Sequence, residues 1–172
     1  MGTCGSASLT TLPTLTTTKL LEDWHTTPLV ETMRKYVPRP LVELSHVAAA
    51  SNGRPAPARI GLISIGSSGY AVRESSDQLW NEHHIAVDCL RLRAYPFTDE
   101  LKAFIQRYDR VYVVEQNRDA QLLGLMRLEF EPDLIARLRS IRYYGGLPLD
   151  ARTVTDEVIR QETGSGERKS YG

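Results

Sequence analysis

Over residues 59–161 short apolar runs alternate with longer amphipathic stretches, and no other feature restricts the fold of this chain so strongly. The first run, Ile60-Gly61-Leu62-Ile63-Ser64-Ile65, stops at Gly66 and fits a strand buried on both faces. Tyr70 to His83 is polar, with Val72, Leu79 and Trp80 about whole helical turns apart. His84 to Leu92 alternates as a strand does, with Ile85, Val87 and Cys89 on one face and Ala86 and Asp88 on the other. Thr98 is placed as a helix N-cap, with Asp99 and Glu100 in the first turn, where the macrodipole favours anions. Leu101, Phe104, Ile105 and Tyr108 then repeat at helical spacing. Val111 to Val114 reads as the next strand, residues 119–138 as two helical pieces broken near Pro132, and Ser140 to Tyr144 as a fourth strand. Asp150 opens a last helix carrying Val154, Val158 and Ile159. The order β-α-β-α-β-α-α-β-α predicts an α/β fold of three layers, α/β/α, around a mostly parallel sheet with right-handed crossovers.

The remainder of the 172 residues is different in kind. Residues 3–27 carry nine threonines and no period long enough to bury a face. Leu29 to Tyr36 is expected to be a short helix ended by Pro38, and Leu41 to Leu44 a short edge strand. Ala48 to Pro57 reads as a linker extended by its prolines. The chain thus divides into an irregular Thr/Pro-rich leader and linker over 1–58, with a helix at 29–37, one α/β domain over 59–161, and a disordered polar tail over 162–172. Twenty-one basic and twenty-one acidic side chains cancel, which argues against a general polyanion-binding protein and so against nucleic acid as a partner. No apolar stretch reaches the length of a membrane span, and the first residues lack a secretory pattern, so the cytoplasm is the expected compartment.

In parallel sheets ligands and partners meet the loops beyond the carboxyl ends of the strands. Four segments are predicted to lie there. Gly66-Ser67-Ser68-Gly69 leads into a helix and has the small residues and free amides that cradle an anion. A tight βα turn with a capping serine needs the same residues. Arg91 and Arg93 share one side of their strand, ahead of Tyr95-Pro96-Phe97, and suit an anion clamp, an ion pair or a subunit contact. Glu115-Gln116-Asn117-Arg118 is denser in hydrogen-bonding groups than a turn requires, which fits a binding edge; the competing account is helix capping by Asn117 or Asp119. Gly145-Gly146-Leu147 completes the edge.

Catalytic groups do not stand out. His83 and His84 are adjacent at a helix–strand junction, point apart and have no third ligand at metal spacing. His25 and His46 lie in the leader and form no triad with Ser67 or Ser68. With Cys4 and Cys89 as the only cysteines, no disulfide framework, zinc ribbon or cluster ligand set is available, and Cys89 reads as a buried, inert thiol.

Four segments carry a resemblance. Arg59 to Ser68 is similar to the opening strand and turn of the carboxy-terminal domain of the α subunit of 2-oxoacid:ferredoxin oxidoreductases, and Leu90 to Thr98 to its second strand and turn. Arg110-Val111-Tyr112-Val113-Val114-Glu115-Gln116-Asn117-Arg118-Asp119 is the most specific match, and Tyr143 to Leu149 resembles the fourth strand and its exit. The segments cover about residues 59–160 in the family's order and look closest to the 2-oxoglutarate type; Met33 to Pro40 resembles the stretch before that domain. One departure is Ala120, where the family pattern expects glycine.

The resemblance implies a transketolase carboxy-terminal-domain fold with a mixed sheet of about five strands. It implies a parent complex that uses thiamine diphosphate and iron–sulfur clusters to decarboxylate a 2-oxoacid oxidatively, form the acyl-CoA and reduce ferredoxin. The Gly-Asp-Gly thiamine-pyrophosphate motif, which in the family belongs to the β subunit, is not present here, and neither are the residues of a whole α subunit. The expectation is therefore a fragment or separately encoded terminal domain that binds no cofactor and has no activity alone. It would dock on the other α-subunit domain and the β subunit, reaching ferredoxin through the complex, with Arg93, Glu115, Gln116, Asn117 and Arg118 at the contact. The competing readings are a free-standing anion- or nucleotide-binding α/β module using Gly66, Ser67, Ser68 and Gly69, and a remnant without selected function.

Overall fold

The structure, a computed structural model, describes residues 28–44 and 59–164. The Thr-rich leader 1–27, the linker at 45–58 and residues 165–172 lie outside them, and with them Cys4, His25 and His46. In chain order the elements are α1 (Pro28–Tyr36), β1 (Leu41–Glu43), β2 (Ile60–Ile65), α2 (Ser68–His83), β3 (Val87–Leu92), α3 (Asp99–Arg107), β4 (Arg110–Glu115), α4 (Gln121–Glu129), α5 (Pro132–Ile135), β5 (Leu138–Arg142) and α6 (Ala151–Thr163). They build one five-stranded sheet in the order β1-β3-β2-β4-β5, in which only β1 runs antiparallel to its neighbour. The three-layer, mostly parallel architecture expected from the alternation is present.

The apolar run of β2 makes it the centre of the sheet. Leu62 and Ile63 are both fully buried because a parallel strand with helices on each side has no solvent face. Successive side chains feed two cores. Ile60 and Leu62 join Val72 and Leu79 of α2, Tyr112 and Val114 of β4, and Val154 and Val158 of α6. Ile63 joins Leu101, Phe104 and Ile105 of α3, Val111 and Val113 of β4, and Leu122 and Met126 of α4. On the first face α2 and α6 are tied by a buried hydrogen bond of 2.9 Å between the Ser75 and Thr155 hydroxyls. On the second, Gly61 leaves room for the tilted ring pair Phe104–Tyr108, and Tyr108 donates a 2.6 Å hydrogen bond to buried Asp88 on β3.

Several boundaries differ from the sequence reading, each for a local reason. The third strand begins at Val87 rather than His84. His84 takes a left-handed conformation (φ 57°), and the N–H groups of His84 and Ile85 cap the carbonyls of Trp80 and Leu79. The last strand is Leu138–Arg142, two residues earlier than expected, because α5 is a single turn and β5 is registered on β4 from Val111↔Leu138 to Glu115↔Arg142. Thr98 stands at the N-cap of α3 without a side-chain cap bond, whereas Asp150 accepts from Thr153 N at 2.7 Å as expected. The tail does not begin at 162. Glu162 extends α6, paired with Arg110 and accepting a 2.6 Å hydrogen bond from Tyr112, so the helix runs on to Thr163. The segment before residue 59 also contributes: β1 closes the sheet beside β3, and α1 places Arg34 at 3.2 Å from Glu129 of α4.

A methyl group on Gly61 would stand 2.8 Å from Phe104 Cε1 and 3.0 Å from Tyr108 Cδ2. Both rings are held in the core, so Gly61→Ala is expected to destabilise the domain by about 1–3 kcal/mol. Chemical denaturation checks this, with Phe104→Leu in the same background expected to recover part of the loss.

Candidate functional site

The chain order of the strands reverses at the centre of the sheet. β2 leads through α2 to β3 on one side, and β3 returns through α3 to β4 on the other. The carboxyl ends of β2 and β4 therefore flank a topological switch point, where open sheets form their crevices. Gly66 to Gly69 follows β2, and Glu115 to Arg118 is the last residue of β4 with the turn after it, so the two segments singled out by composition are neighbours across this point.

Residues 115–118 divide into two that face inward and two that face solvent. Glu115 is only 2% exposed. Its carboxylate accepts from Leu122 N at 2.5 Å, from Leu123 N at 3.2 Å and from Asn117 Nδ2 at 3.0 Å. Asn117 Oδ1 accepts from Asp119 N at 3.1 Å and Gln121 N at 3.3 Å. The residue at the N-cap of α4 is Ala120, whose side chain has no acceptor, so Glu115 and Asn117 together satisfy the first three amides of the helix. Gly124 N closes the first intrahelical bond to Ala120 O at 2.8 Å. The helix dipole and three hydrogen bonds compensate the buried charge. Half of the dense cluster is thus a capping device, and Glu115 presents no surface to a partner.

The other half stays accessible. Gln116 is exposed and donates from Nε2 to Leu147 O at 3.0 Å, linking the end of β4 to the loop after β5. Arg118 is exposed and pairs with Asp119 at 2.9 Å, which holds the Asp119 carboxyl below its usual range. Arg142 donates to Arg118 O at 2.9 Å and braces the turn. Arg93 lies just beyond β3 and is exposed.

At the β2 turn, Gly66 has φ 64°, which favours glycine. The Ser68 hydroxyl donates back to Ile65 O at 2.7 Å, so it closes the turn and does not face outward. Ser67 is exposed at the N-cap of α2 without a side-chain cap bond. Arg91 lies against this turn: it donates to Gly66 O at 3.0 Å, stacks over Tyr70 at 5.1 Å and packs so closely on Gly69 that a Cβ there would meet its side chain at 2.8 Å. Arg91 and Arg93, paired in the sequence reading, differ in exposure: Arg91 is half-buried and Arg93 exposed.

Of the apolar part of this edge, the sequence reading placed only Leu147 there. Ile65, Tyr70, Tyr144 and Leu147 are 39%, 72%, 46% and 69% exposed, all at the carboxyl end of the sheet. Tyr143-Tyr144 beside Gly145-Gly146 was the available signal, but only the sheet order places it beside Gln116 and on the same edge as Ile65.

Among the described residues no group of three or more His, Cys, Asp or Glu side chains is placed to hold a metal. Cys89 is buried in the α2 face, and that burial pushes its thiol up to about 12. No helix of the described residues is long and apolar enough to cross a membrane.

Three measurements test this description. Glu115→Ala leaves two buried amides without acceptors and is expected to cost about 3 kcal/mol, with Glu115→Gln losing less; denaturation midpoints check the order. Ala120 sits at φ 52°, so Ala120→Gly is expected to stabilise by about 0.5–1 kcal/mol despite glycine's larger unfolded-state freedom. The Cys89 thiol is expected to resist alkylation at pH 8 in the folded protein and to react on denaturation, as read by mass spectrometry of its peptide.

No protein-family model and no curated protein matches this chain. Solved structures do. The 2-oxoglutarate:ferredoxin oxidoreductase from Magnetococcus marinus aligns with 76% of the chain at 22% identity and a TM-score of 0.59. The alpha chain of a probable 2-oxoacid ferredoxin oxidoreductase from Thermoplasma acidophilum aligns with 73% of this chain and 97% of its own, at 18% identity and a TM-score of 0.41. This chain spans about a fifth of the length of the Magnetococcus chain, 21%. That likeness is one of fold: the three-layer domain, with its mostly parallel five-stranded sheet, is the fold of the aligned part of a 2-oxoglutarate:ferredoxin oxidoreductase.

Proposed function

We propose that the chain is a carboxy-terminal domain of the α subunit of a 2-oxoacid:ferredoxin oxidoreductase, of the type acting on 2-oxoglutarate. The complex it would serve decarboxylates a 2-oxoacid oxidatively, forms the acyl-CoA and reduces ferredoxin. The observation that carries this reading is the agreement of two likenesses. Four sequence segments resemble that domain in order, and the fold they build aligns with such an oxidoreductase. Thiamine diphosphate and the iron–sulfur clusters would be held by other parts of the complex.

The work of this chain is then docking. Its carboxyl edge offers exposed Arg93, Gln116 and Arg118 around Ile65, Tyr70, Tyr144 and Leu147, an apolar centre with a polar rim of the kind partners bury. The partners are the other α-subunit domain and the β subunit, with ferredoxin reached through them. Glu115 and Asn117 support this edge from beneath by fixing α4. The competing module that holds an anion at Gly66–Gly69 has less in its favour, because Ser68 and Arg91 both bond back to the turn.

Mixing the purified chain with the remaining α- and β-subunit parts of such an oxidoreductase from its own source tests the reading. Co-elution is expected, with Leu147→Asp and Arg118→Glu each weakening association about tenfold, or about 1.4 kcal/mol. Absence of association, combined with thermal stabilisation by phosphate or CoA, would favour the anion-binding module instead.

A further inference from the structure

We propose that two copies of this chain pair antiparallel through the outer edge of β1, joining their five-stranded sheets into one. The inference concerns a lateral edge of the sheet and does not rest on the docking role above. Backbone groups along a strand point alternately to its two sides. Arg110 N donates to Arg59 O and Val111 N to Arg137 O, so even-numbered residues of β4 face β2 and odd-numbered ones face β5. Carried through the registers of the sheet, this alternation turns the backbone groups of Leu41 and Glu43 towards β3 and those of Pro40 and Val42 outward. At the opposite edge it turns Leu138 and Ser140 outward.

The two edges are finished differently. On β5 the outward carbonyls are occupied: Arg139 Nη1 donates to Leu138 O at 2.9 Å and Gln161 Nε2 to Ser140 O at 3.1 Å. Exposed Arg139 and Arg142 add charge, a device by which edges avoid pairing. On β1, nothing among the described residues bonds to the outward groups of Val42. Leu41, Val42 and Leu44 are 47%, 45% and 58% exposed. Pro40 stands where its missing N–H would point outward, so it costs the sheet no internal bond.

The occupant is a second copy because this edge matches itself. With a two-fold axis at Leu41, Val42 N–H of each copy meets Pro40 O of the other, and the two Leu41 side chains meet. Arg39 of each copy then lies opposite Glu43 of the other. The Arg39 and Glu43 side chains are 86% and 53% exposed, with long internal ion pairs of 3.4 Å to Glu100 and 3.6 Å to Arg73. An axis at Val42 would leave Glu43 opposite Leu41, and one at Glu43 would set two carboxylates face to face, which is unfavourable. So short a seam fits a dissociation constant on the order of 10–100 µM.

Sedimentation equilibrium of the full chain tests this, with a monomer–dimer equilibrium in that range expected. Val42→Pro removes an N–H that makes no internal bond, so it is expected to keep the thermal midpoint and to leave the chain monomeric. Arg39→Glu and Glu43→Arg are each expected to weaken the dimer about tenfold. The double variant is expected to restore it, although it makes both internal ion pairs repulsive. If Val42→Pro unfolds the domain, the charge exchanges carry the test. A chain still monomeric at about 500 µM, a dimer indifferent to Val42→Pro, or a double variant as weak as the single ones would each overturn the proposal. So would a Val42 amide protected from hydrogen exchange in the monomer, which would mean that another segment already covers the edge.

Discussion

The carboxylate of Glu115 holds the first turn of α4 from the end of a central strand, and much of the second face of the domain is registered by that contact. α4 carries Leu122, Leu123 and Met126 into the core shared with α3. Its own N-cap residue, Ala120, has no acceptor, so the helix depends on an acceptor supplied from five residues earlier in the chain. An acid placed at a helix N-terminus and shielded from water gains from both the dipole and the hydrogen bonds. The same geometry explains why β4 ends where it does: beyond Glu115 the chain turns so that Asn117 can reach Gln121 N. Gln116 and Arg118, between and after these anchors, are left facing outward.

This arrangement links stability to the strand-end edge. The side chains that present a surface are carried by backbone that the buried pair Glu115–Asn117 keeps in one conformation. A loop held in this way offers a partner its side chains with little further ordering to lose. Arg142, which donates to Arg118 O, and Gln116, which donates to Leu147 O, extend the bracing to the exit of β5. The ends of β4 and β5 are therefore braced as one unit. Its apolar members lie among polar groups whose backbones are already fixed.

The sequence reading of the fold was accurate where periodicity controls structure. The apolar run at Ile60–Ile65, the helical spacing of Leu101, Phe104, Ile105 and Tyr108, and the N-cap at Asp150 are all local signals, and all are found. Boundaries moved where a tertiary contact competed with them. Glu162 stays helical because Arg110 and Tyr112 on β4 bind it, and a polar, glycine-bearing terminus gives no warning of such a contact. The candidate site was half legible. The density of polar groups at 115–118 was a true anomaly, but whether a glutamate there caps a helix or meets a partner depends on which way the strand pleat points its side chain.

What the sequence by itself determined is the alternation: which segments are strands, which are helices, and that the central strands have no solvent face. Those follow from hydrophobic period and turn residues, which act over a few positions. What only the tertiary structure decided is the order β1-β3-β2-β4-β5, the pairing of the β2 and β4 loops at the switch point, and the inward turn of Glu115 against the outward turn of Arg118. Strand order and side-chain burial arise from contacts between residues far apart in the chain. Ile65 and Tyr144 share an edge for that reason alone.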